Sequence, residues 1–236
     1  MPCVLGHKFI SDVLSNVEEK HYLSYQDSFG WNPLHYACCF IPRDIIIIKL
    51  LVTKCPEVVV QLDIHNCSPL HIACNSDTYE EVIAVLLKAD TNKVTISKQT
   101  RGLVLLPIHL ACFIGAQDGI IHALLDADKY VTTGIQKPRG GQLPLHLALL
   151  KKLPESIVRA FLDVDSRLSK RGRQNFDSIT NNFDDDIHQF FDGKLTLHFA
   201  CYNNLSTEII QLLLDKDAHN ATVSMRLLTQ CHFWKI

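Results

Sequence analysis

A short block of residues recurs five times along this chain and constrains its architecture more than any other feature. Each block has leucine or isoleucine followed by histidine, with an alanine two residues after the histidine. The first four blocks begin with proline and the fifth with threonine. The histidines, separated by 36, 38, 37 and 52 residues, are His35, His71, His109, His146 and His198. The first three spacings are nearly equal, and a period of this length predicts a repeat architecture, in which one supersecondary unit stacks on the next.

A second apolar segment follows every block and has the spacing of an amphipathic helix. Thr78 and Glu81, which precede one of these segments, have the spacing of a capping box and predict a helix start at Thr78. Each unit is therefore predicted to run turn, helix, short loop, helix, linker. One pair of short helices cannot bury its own apolar face, whereas stacked pairs share a core. The five segments are residues 45–52, 82–87, 120–125, 157–162 and 209–214.

The blocks resemble the ankyrin repeat, whose signature is Thr-Pro-Leu-His-x-Ala after a turn that carries Asp and Gly. Residues 27–35 match it closely, and residues 63–71 match with Asn66 in the glycine slot. Asn suits that slot because it tolerates a left-handed backbone. The third unit has Val104 in the same slot, and the fifth has Thr196 where proline is expected. The resemblance implies an all-α fold, an ankyrin-type α-solenoid of stacked helix-turn-helix repeats with short finger turns.

The resemblance implies that the chain is divided into three segments. Residues 1–25 are expected to form an N-terminal capping helix. Residues 26–220 are expected to be an array of five repeats, with a polar, charge-segregated insertion at about 166–192. Residues 221–236 are expected to be a C-terminal tail or a broken sixth repeat. The apolar residues of the expected cap are Phe9, Ile10, Val13, Leu14 and Val17.

Composition and charge limit the function classes. Apolar residues make up 47% of the chain and charged residues 20%, which argues against a disordered protein. The formal net charge of −2 gives no general attraction for nucleic acid or for an anionic membrane. No apolar stretch reaches the ~18–20 residues that span a bilayer. We therefore expect an intracellular protein, cytoplasmic or nuclear, with neither nucleic acid nor membrane among its partners. Its nine cysteines are expected to be buried free thiols.

Four repeats place histidine and cysteine three residues apart on one helix face, as half of a zinc site would. A structural interpretation competes with this one, because in the ankyrin pattern the histidine braces the turn and the small residue packs between helices. Neighbouring helices pack ~8–10 Å apart, whereas zinc holds its ligand atoms at ~2.0–2.3 Å. Pairs one repeat apart could not converge on one ion without distorting the stack. We therefore expect no metal site, and a structural role for His35, His71, His109, His146 and His198.

No phosphate-binding glycine loop, Gly-x-Ser-x-Gly or His-Glu-x-x-His motif occurs in the sequence. A cysteine–histidine couple copied four times is typical of a packing position rather than of a catalytic one. The sequence therefore predicts a protein that is not an enzyme, with no cofactor and no small-molecule substrate.

The resemblance also implies a binding surface, since such solenoids bind partners on the concave face formed by the finger tips and first helices. Large apolar side chains occupy several of these nominally exposed slots, as expected of an interface. Longer fingers that fold back and bury the same side chains are the alternative. The residues predicted to bind a partner are Phe29, Trp31, Phe40, Leu105, Phe113, Ile114, Arg139, Lys151 and Tyr202.

The predicted function is a non-catalytic protein–protein interaction module, an adaptor or scaffold that binds another protein on the concave ankyrin surface. The alternative is the recognition arm of a larger ankyrin-containing enzyme whose catalytic part is absent from this chain. A purely structural spacer would require a uniformly polar concave face, which the aromatic residues contradict.

Overall fold

The structure is a computed structural model that describes residues 20–76, 78–98, 100–101, 105–127, 144–164, 200–201 and 203–216. All regular elements within these residues are helices, and none of the residues described is in a strand. The all-α fold of helix pairs implied by the ankyrin resemblance is therefore confirmed.

The helices follow the predicted alternation of a first helix, which carries the histidine block, and a longer second helix. The first helices α2, α4, α6 and α8 all begin at the proline of their block. In chain order the helices are α1 Lys20–Ser24, α2 Pro33–Phe40, α3 Ile45–Lys54, a 3-10 helix Pro56–Val59, α4 Pro69–Cys74, α5 Glu80–Ala89, α6 Pro107–Ile114, α7 Asp118–Ala127, α8 Pro144–Leu150, α9 Glu155–Val164 and α10 Thr207–Lys216.

Side-chain caps fix where several helices start. Asn32 precedes α2, and its side-chain oxygen accepts a hydrogen bond from the backbone N–H of His35 at 2.9 Å. Asp44 caps α3 in the same way, through the backbone N–H of Ile47 at 3.2 Å. Proline as the first helical residue of α2 costs no hydrogen bond, because that N–H has no partner within a helix. Local sequence alone therefore sets the start of these helices.

The capping box predicted at Thr78 is wrong. Helix α5 starts at Glu80 with Tyr79 as its N-cap, and no side chain caps it. The hydroxyl of Thr78 instead donates a hydrogen bond to the carbonyl of Pro42 in the preceding repeat, at 2.6 Å. Thr78 is only 1% exposed, so its hydroxyl needs a partner, and the carbonyl across the repeat supplies it.

The chain divides into two compact units, each described by itself. The first contains α1 to α5 and the first five residues of α6. Within it, first helix packs on first helix, α2 against α4, and second helix on second helix, α3 against α5. Its core includes Leu34, Ile48, Leu70 and Ile83, all 0% exposed. Burying such a side chain stabilises the fold by about 1.5–3 kcal/mol.

The second unit contains the last residues of α6, most of α7, and α8 to α10. Helix α9 packs against both α8 and α10. The fully buried side chains of this unit include Ile121, Leu145 and Phe161. Each unit therefore has its own apolar core.

Most of the predicted cap, the insertion and the C-terminal tail lie outside the described residues. Helix α1 falls within the segment 1–25 that was expected to form the cap. Among the described helices, none combines the length and apolar character needed to cross a bilayer.

Candidate protein-interaction surface

The first finger turn is organised by the carboxylate of Asp27. One oxygen accepts the backbone N–H groups of Phe29 and Trp31, both at 2.8 Å, and the other accepts the hydroxyl of Tyr36 at 2.6 Å. The Tyr36 hydroxyl, and after it the Trp31 N–H, lower the pKa of Asp27 by stabilising its charged form. The carboxylate thereby ties the finger to helix α2.

The second finger repeats this arrangement around Asp63. Its Oδ1 accepts the backbone N–H groups of His65 and Cys67 at 2.8 and 2.7 Å. The two fingers are joined by a hydrogen bond from the N–H of Ile64 to the carbonyl of Phe29, at 3.1 Å. The finger tips in this unit are therefore held in register.

Thr100 takes the place of the aspartate in the third finger. Its hydroxyl accepts the N–H of Leu105 at 3.0 Å, and its own N–H donates to the carbonyl of Leu105, also at 3.0 Å. The finger is joined to the previous one by the N–H of Arg101, which donates to the carbonyl of His65 at 2.6 Å. The sequence pattern did not identify Thr100, because Thr100 precedes Leu105 by five residues. Asp27 precedes Trp31, and Asp63 precedes Cys67, by four residues.

Three aromatic side chains meet beside the first finger, and we refer to Trp31, Tyr36 and Phe40 as the aromatic cluster. The ring centroids of Trp31 and Tyr36 are 5.0 Å apart in an edge-to-face arrangement, and Phe40 stacks on Tyr36 at 6.0 Å. Phe40 is 70% exposed and Tyr36 43%. Tyr36 was not among the predicted binding residues, although its position four residues before Phe40 on one helix could have identified it.

Trp31 lies only partly at the surface. Its ring stacks on that of His35, with centroids 6.1 Å apart, and its Nε1 donates a hydrogen bond to Asp63 at 3.2 Å. Trp31 therefore links the two fingers through its hydrogen bond and also supports the more exposed rings of Tyr36 and Phe40.

The other residues predicted to bind a partner differ in exposure. In the first unit, Phe29 is 61% exposed and Leu105 is half-buried. In the second unit, Ile114 is 50% exposed, and the Nζ of Lys151 lies 4.7 Å from the centre of the half-buried Phe113 ring, a cation–π contact. Arg139 and Tyr202 lie outside the described residues.

An apolar groove of about 450 Å³ runs between α2 and α3, beside the aromatic cluster. Two members of the cluster, Tyr36 and Phe40, form part of its wall. A groove of this size has room for several aliphatic or aromatic side chains. Its lining residues are Pro33, Tyr36, Ala37, Phe40, Ile41, Ile47 and Leu51.

The block histidines of the first unit bond to the turns around them. Nδ1 of His71 accepts the backbone N–H of Ser68 at 3.2 Å, and its Nε2 lies 2.9 Å from the carbonyl of Lys98 in the next repeat. Since a carbonyl only accepts, Nε2 carries the proton. His35 has equivalent partners in Asn32 and Cys67. His198 lies outside the described residues.

Burial keeps these rings neutral. It lowers the pKa of His71 to about 4 and also lowers that of His35, in both cases against the opposing effect of the carbonyl that each ring faces. In the second unit, burial lowers the pKa of His146 to about 4. His109, in the third block, accepts the N–H of Leu106 at 3.2 Å.

The cysteines described are free thiols, and burial raises the pKa of both Cys38 and Cys112. Within the described part of the chain, no three His, Cys, Asp or Glu side chains are grouped so that they could hold a metal ion.

Residues 6–98 match the family model for ankyrin repeats, in three copies. The match covers the first two finger turns, the aromatic cluster and helices α1 to α5, and it begins before the first described helix. No curated protein sequence matches the chain.

Proposed function

We propose that this chain, whose residues 6–98 match the family model for ankyrin repeats, is an adaptor or scaffold that binds another protein. Ankyrin repeats are protein–protein interaction modules. In this chain the proposed contact surface is the face formed by the finger turns and first helices, the concave face of an ankyrin array. Phe29 and the aromatic cluster are its proposed centre in the first unit.

The observation that carries this proposal is the combination of exposure and fixed geometry in the aromatic cluster. Phe40 and Tyr36 present apolar rings to solvent, although burial would be favourable for them. Trp31 and the carboxylate of Asp27 already hold these rings in place. Little conformational entropy would then be lost when a partner covers them, which favours affinity.

In the second unit, Ile114 and the pair of Phe113 and Lys151 are the proposed contacts. The proposal extends to Leu105, Arg139 and Tyr202. An adaptor and the recognition arm of a larger enzyme make the same prediction for this surface, because both require it to bind a protein.

The test starts with a partner captured on the tagged full chain and identified by mass spectrometry. Phe40→Ala is then expected to weaken the affinity for that partner by about 30-fold or more, which corresponds to ~2 kcal/mol. The melting temperature should change little, because Phe40 is 70% exposed and contributes little to the core. Isothermal titration calorimetry measures the first effect and thermal unfolding the second.

Ile46→Ala is the matched control. Ile46 is 63% exposed and equally apolar, but it lies on the second helix α3 and outside the aromatic cluster. The control variant should bind the partner as the unaltered chain does. Equal affinity losses in the two variants, or none in Phe40→Ala, would show that the cluster does not form the interface.

A further inference from the structure

The carboxylate of Asp27 lies at the surface, directly beside the aromatic cluster. Its hydrogen bond with the hydroxyl of Tyr36 is exposed to solvent. That hydroxyl, and after it the backbone N–H of Trp31, lowers the pKa of Asp27, so the carboxylate is charged at neutral pH. Within the part of the chain that the structure describes, no lysine or arginine forms an ion pair with Asp27.

Asp27 also keeps the capacity to accept one more hydrogen bond. A carboxylate offers about four acceptor positions. Oδ1 of Asp27 accepts the N–H groups of Phe29 and Trp31, whereas Oδ2 accepts only the hydroxyl of Tyr36. Asp63, the equivalent aspartate of the second finger, is only 7% exposed and is therefore closed to a ligand. Asp27 is thus the carboxylate that a ligand can reach.

The rings beside Asp27 offer an outer surface rather than a cavity. The rings of Tyr36 and Phe40 are nearly parallel, with an angle of 17° between their planes. Both approach the ring of Trp31, at centroid distances of 5.0 and 6.5 Å. Because the three rings pack against one another, a ligand would lie on their outer side. That side is open, since Phe40 is 70% and Tyr36 43% exposed.

An exposed anion next to open aromatic rings is suited to an organic cation. A positive group within ~6 Å of a ring centroid is attracted by the ring, and a carboxylate adds a charge-assisted hydrogen bond. Guanidinium suits both contacts, because it is planar, stacks on aromatic faces and is more weakly hydrated than ammonium. A calcium ion would need six to eight oxygen ligands, of which Asp27 could supply only its one open acceptor position.

We propose that Asp27 and the aromatic cluster bind an arginine side chain of the partner protein. The guanidinium stacks on the exposed rings of Tyr36 and Phe40 and donates one N–H to Oδ2 of Asp27. An acidic side chain at the same place is repelled by Asp27. The inference rests on the proposed function and deepens it, because the arginine belongs to the protein that covers the cluster.

Selection from a random dodecapeptide library displayed on phage tests the preference for arginine. The full chain is the bait, and the clones of interest are those that bind it but do not bind Phe40→Ala. These clones are expected to share an arginine. Clones that share a lysine instead would indicate an ammonium site, and clones that share no cationic residue would indicate a purely apolar one. Either result would overturn the proposal.

A synthetic peptide from the selection shows whether the positive charge itself is recognised. Replacing its shared arginine by citrulline converts the guanidinium into a neutral urea of nearly the same shape. Isothermal titration calorimetry on the full chain should show an affinity loss of about tenfold or more. Equal affinities for the two peptides would overturn the proposal.

Asp27→Asn separates direct contact from support of the finger. The variant keeps an oxygen that can accept the N–H groups of Phe29 and Trp31, but it loses the charge. It should bind the arginine peptide about fivefold or more weakly, and the citrulline peptide as the unaltered chain does. The matched control is Glu80→Gln, which removes an exposed carboxylate on α5 and should leave both affinities unchanged. Equal losses for both peptides in Asp27→Asn would mean that Asp27 only shapes the finger, and would overturn the proposal.

The same selection distinguishes failure of this inference from failure of the proposed function. Clones that depend on Phe40 but lack arginine would leave the cluster as a protein-binding surface and remove only its preference for arginine. If no selected clone depends on Phe40, the aromatic cluster does not bind peptides, and both proposals fail.

Discussion

At the scale of single residues, the block histidines His35 and His71 act as neutral, doubly hydrogen-bonded side chains. His71 is 1% exposed and bonds to Ser68 in its own turn and to the carbonyl of Lys98 in the next repeat. Protonating the ring would place a hydrogen on Nδ1, which now accepts an N–H. A charged ring would also have to stay buried, which costs free energy.

A pH dependence of stability follows from the lowered pKa of His71. The pKa is about 4 in the folded chain and about 6.5 when unfolded, so the unfolded chain binds the proton more readily. The free energy of unfolding should therefore fall as the pH drops from 6.5 towards 4, by up to about 1.4 kcal/mol per pH unit for this residue. Urea unfolding at pH 7.5, 6.5 and 5.5 measures the slope.

His71→Gln removes this titration and isolates its contribution. The variant should lose stability at pH 7.5, by about 1–3 kcal/mol for a disturbed buried hydrogen bond. Its stability should then depend less on pH below 6.5. An unchanged pH slope in the variant would mean that His71 is not the neutral, buried group described above.

At the scale of elements, the fingers of the first unit are stacked through their backbones. Gly30 has a φ of +76°, and a Cβ placed on it would lie 2.9 Å from the Cα of Asp63 in the next finger. The neighbouring hydrogen bond between Phe29 and Ile64 keeps that backbone from moving aside. Glycine is therefore needed at position 30 both for its left-handed conformation and for the space.

Gly30→Ala and Gly115→Ala separate these two requirements. Gly115 has the same φ of +76°, but a Cβ there would meet only a side-chain atom, the Cδ2 of Leu153 at 3.9 Å. Both variants should lose about 1–2 kcal/mol through the left-handed backbone. Gly30→Ala should lose a further ~1–3 kcal/mol through the clash. Chemical denaturation of both variants makes the comparison, and equal losses would contradict the tight stacking of the fingers.

At the scale of the whole molecule, helix packing in the first unit joins one repeat to the next. Helix α4 packs on α2, and α5 packs on α3. In such arrays the free energy of unfolding is close to the sum of the intrinsic stabilities of the repeats and the interaction energies between neighbouring repeats. A destabilising substitution in one repeat should therefore lower the stability of that repeat and its neighbours more than that of distant repeats.

Leu70→Ala tests this locality. Leu70 is 0% exposed on α4, so truncation should cost about 2–5 kcal/mol. Hydrogen exchange should accelerate more in α2, α4 and α5 than in α9 and α10. Leu145→Ala, in α8 of the second unit, should give the reverse pattern. Uniform acceleration along the chain in both variants would instead indicate a single cooperative unit.

The sequence by itself determined the repeat, the helix pairs and the position of the block histidines. It could do so because these features depend on local signals: proline at the first helical residue, Asn32 and Asp44 as caps, and apolar spacing along each second helix. The apolar spacing predicted a helix core at residues 82–87. Helix α5 spans Glu80–Ala89 and therefore extends beyond this core at both ends, through residues that do not follow the apolar pattern.

Only the tertiary structure decided where polar groups and large side chains found their partners. The hydroxyl of Thr78 donates a hydrogen bond to the carbonyl of Pro42 in another repeat, and Thr100 replaces the aspartate that accepts a backbone N–H in the first two fingers. The half-buried Trp31 donates its ring N–H to Asp63 in the next finger. The contacts of Thr78 and Trp31 depend on atoms that the stacking of repeats brings close. The contact of Thr100 depends on one extra residue in its turn. Spacing along the chain specifies which residues share a helix face, but the neighbouring repeat determines which of them remain exposed.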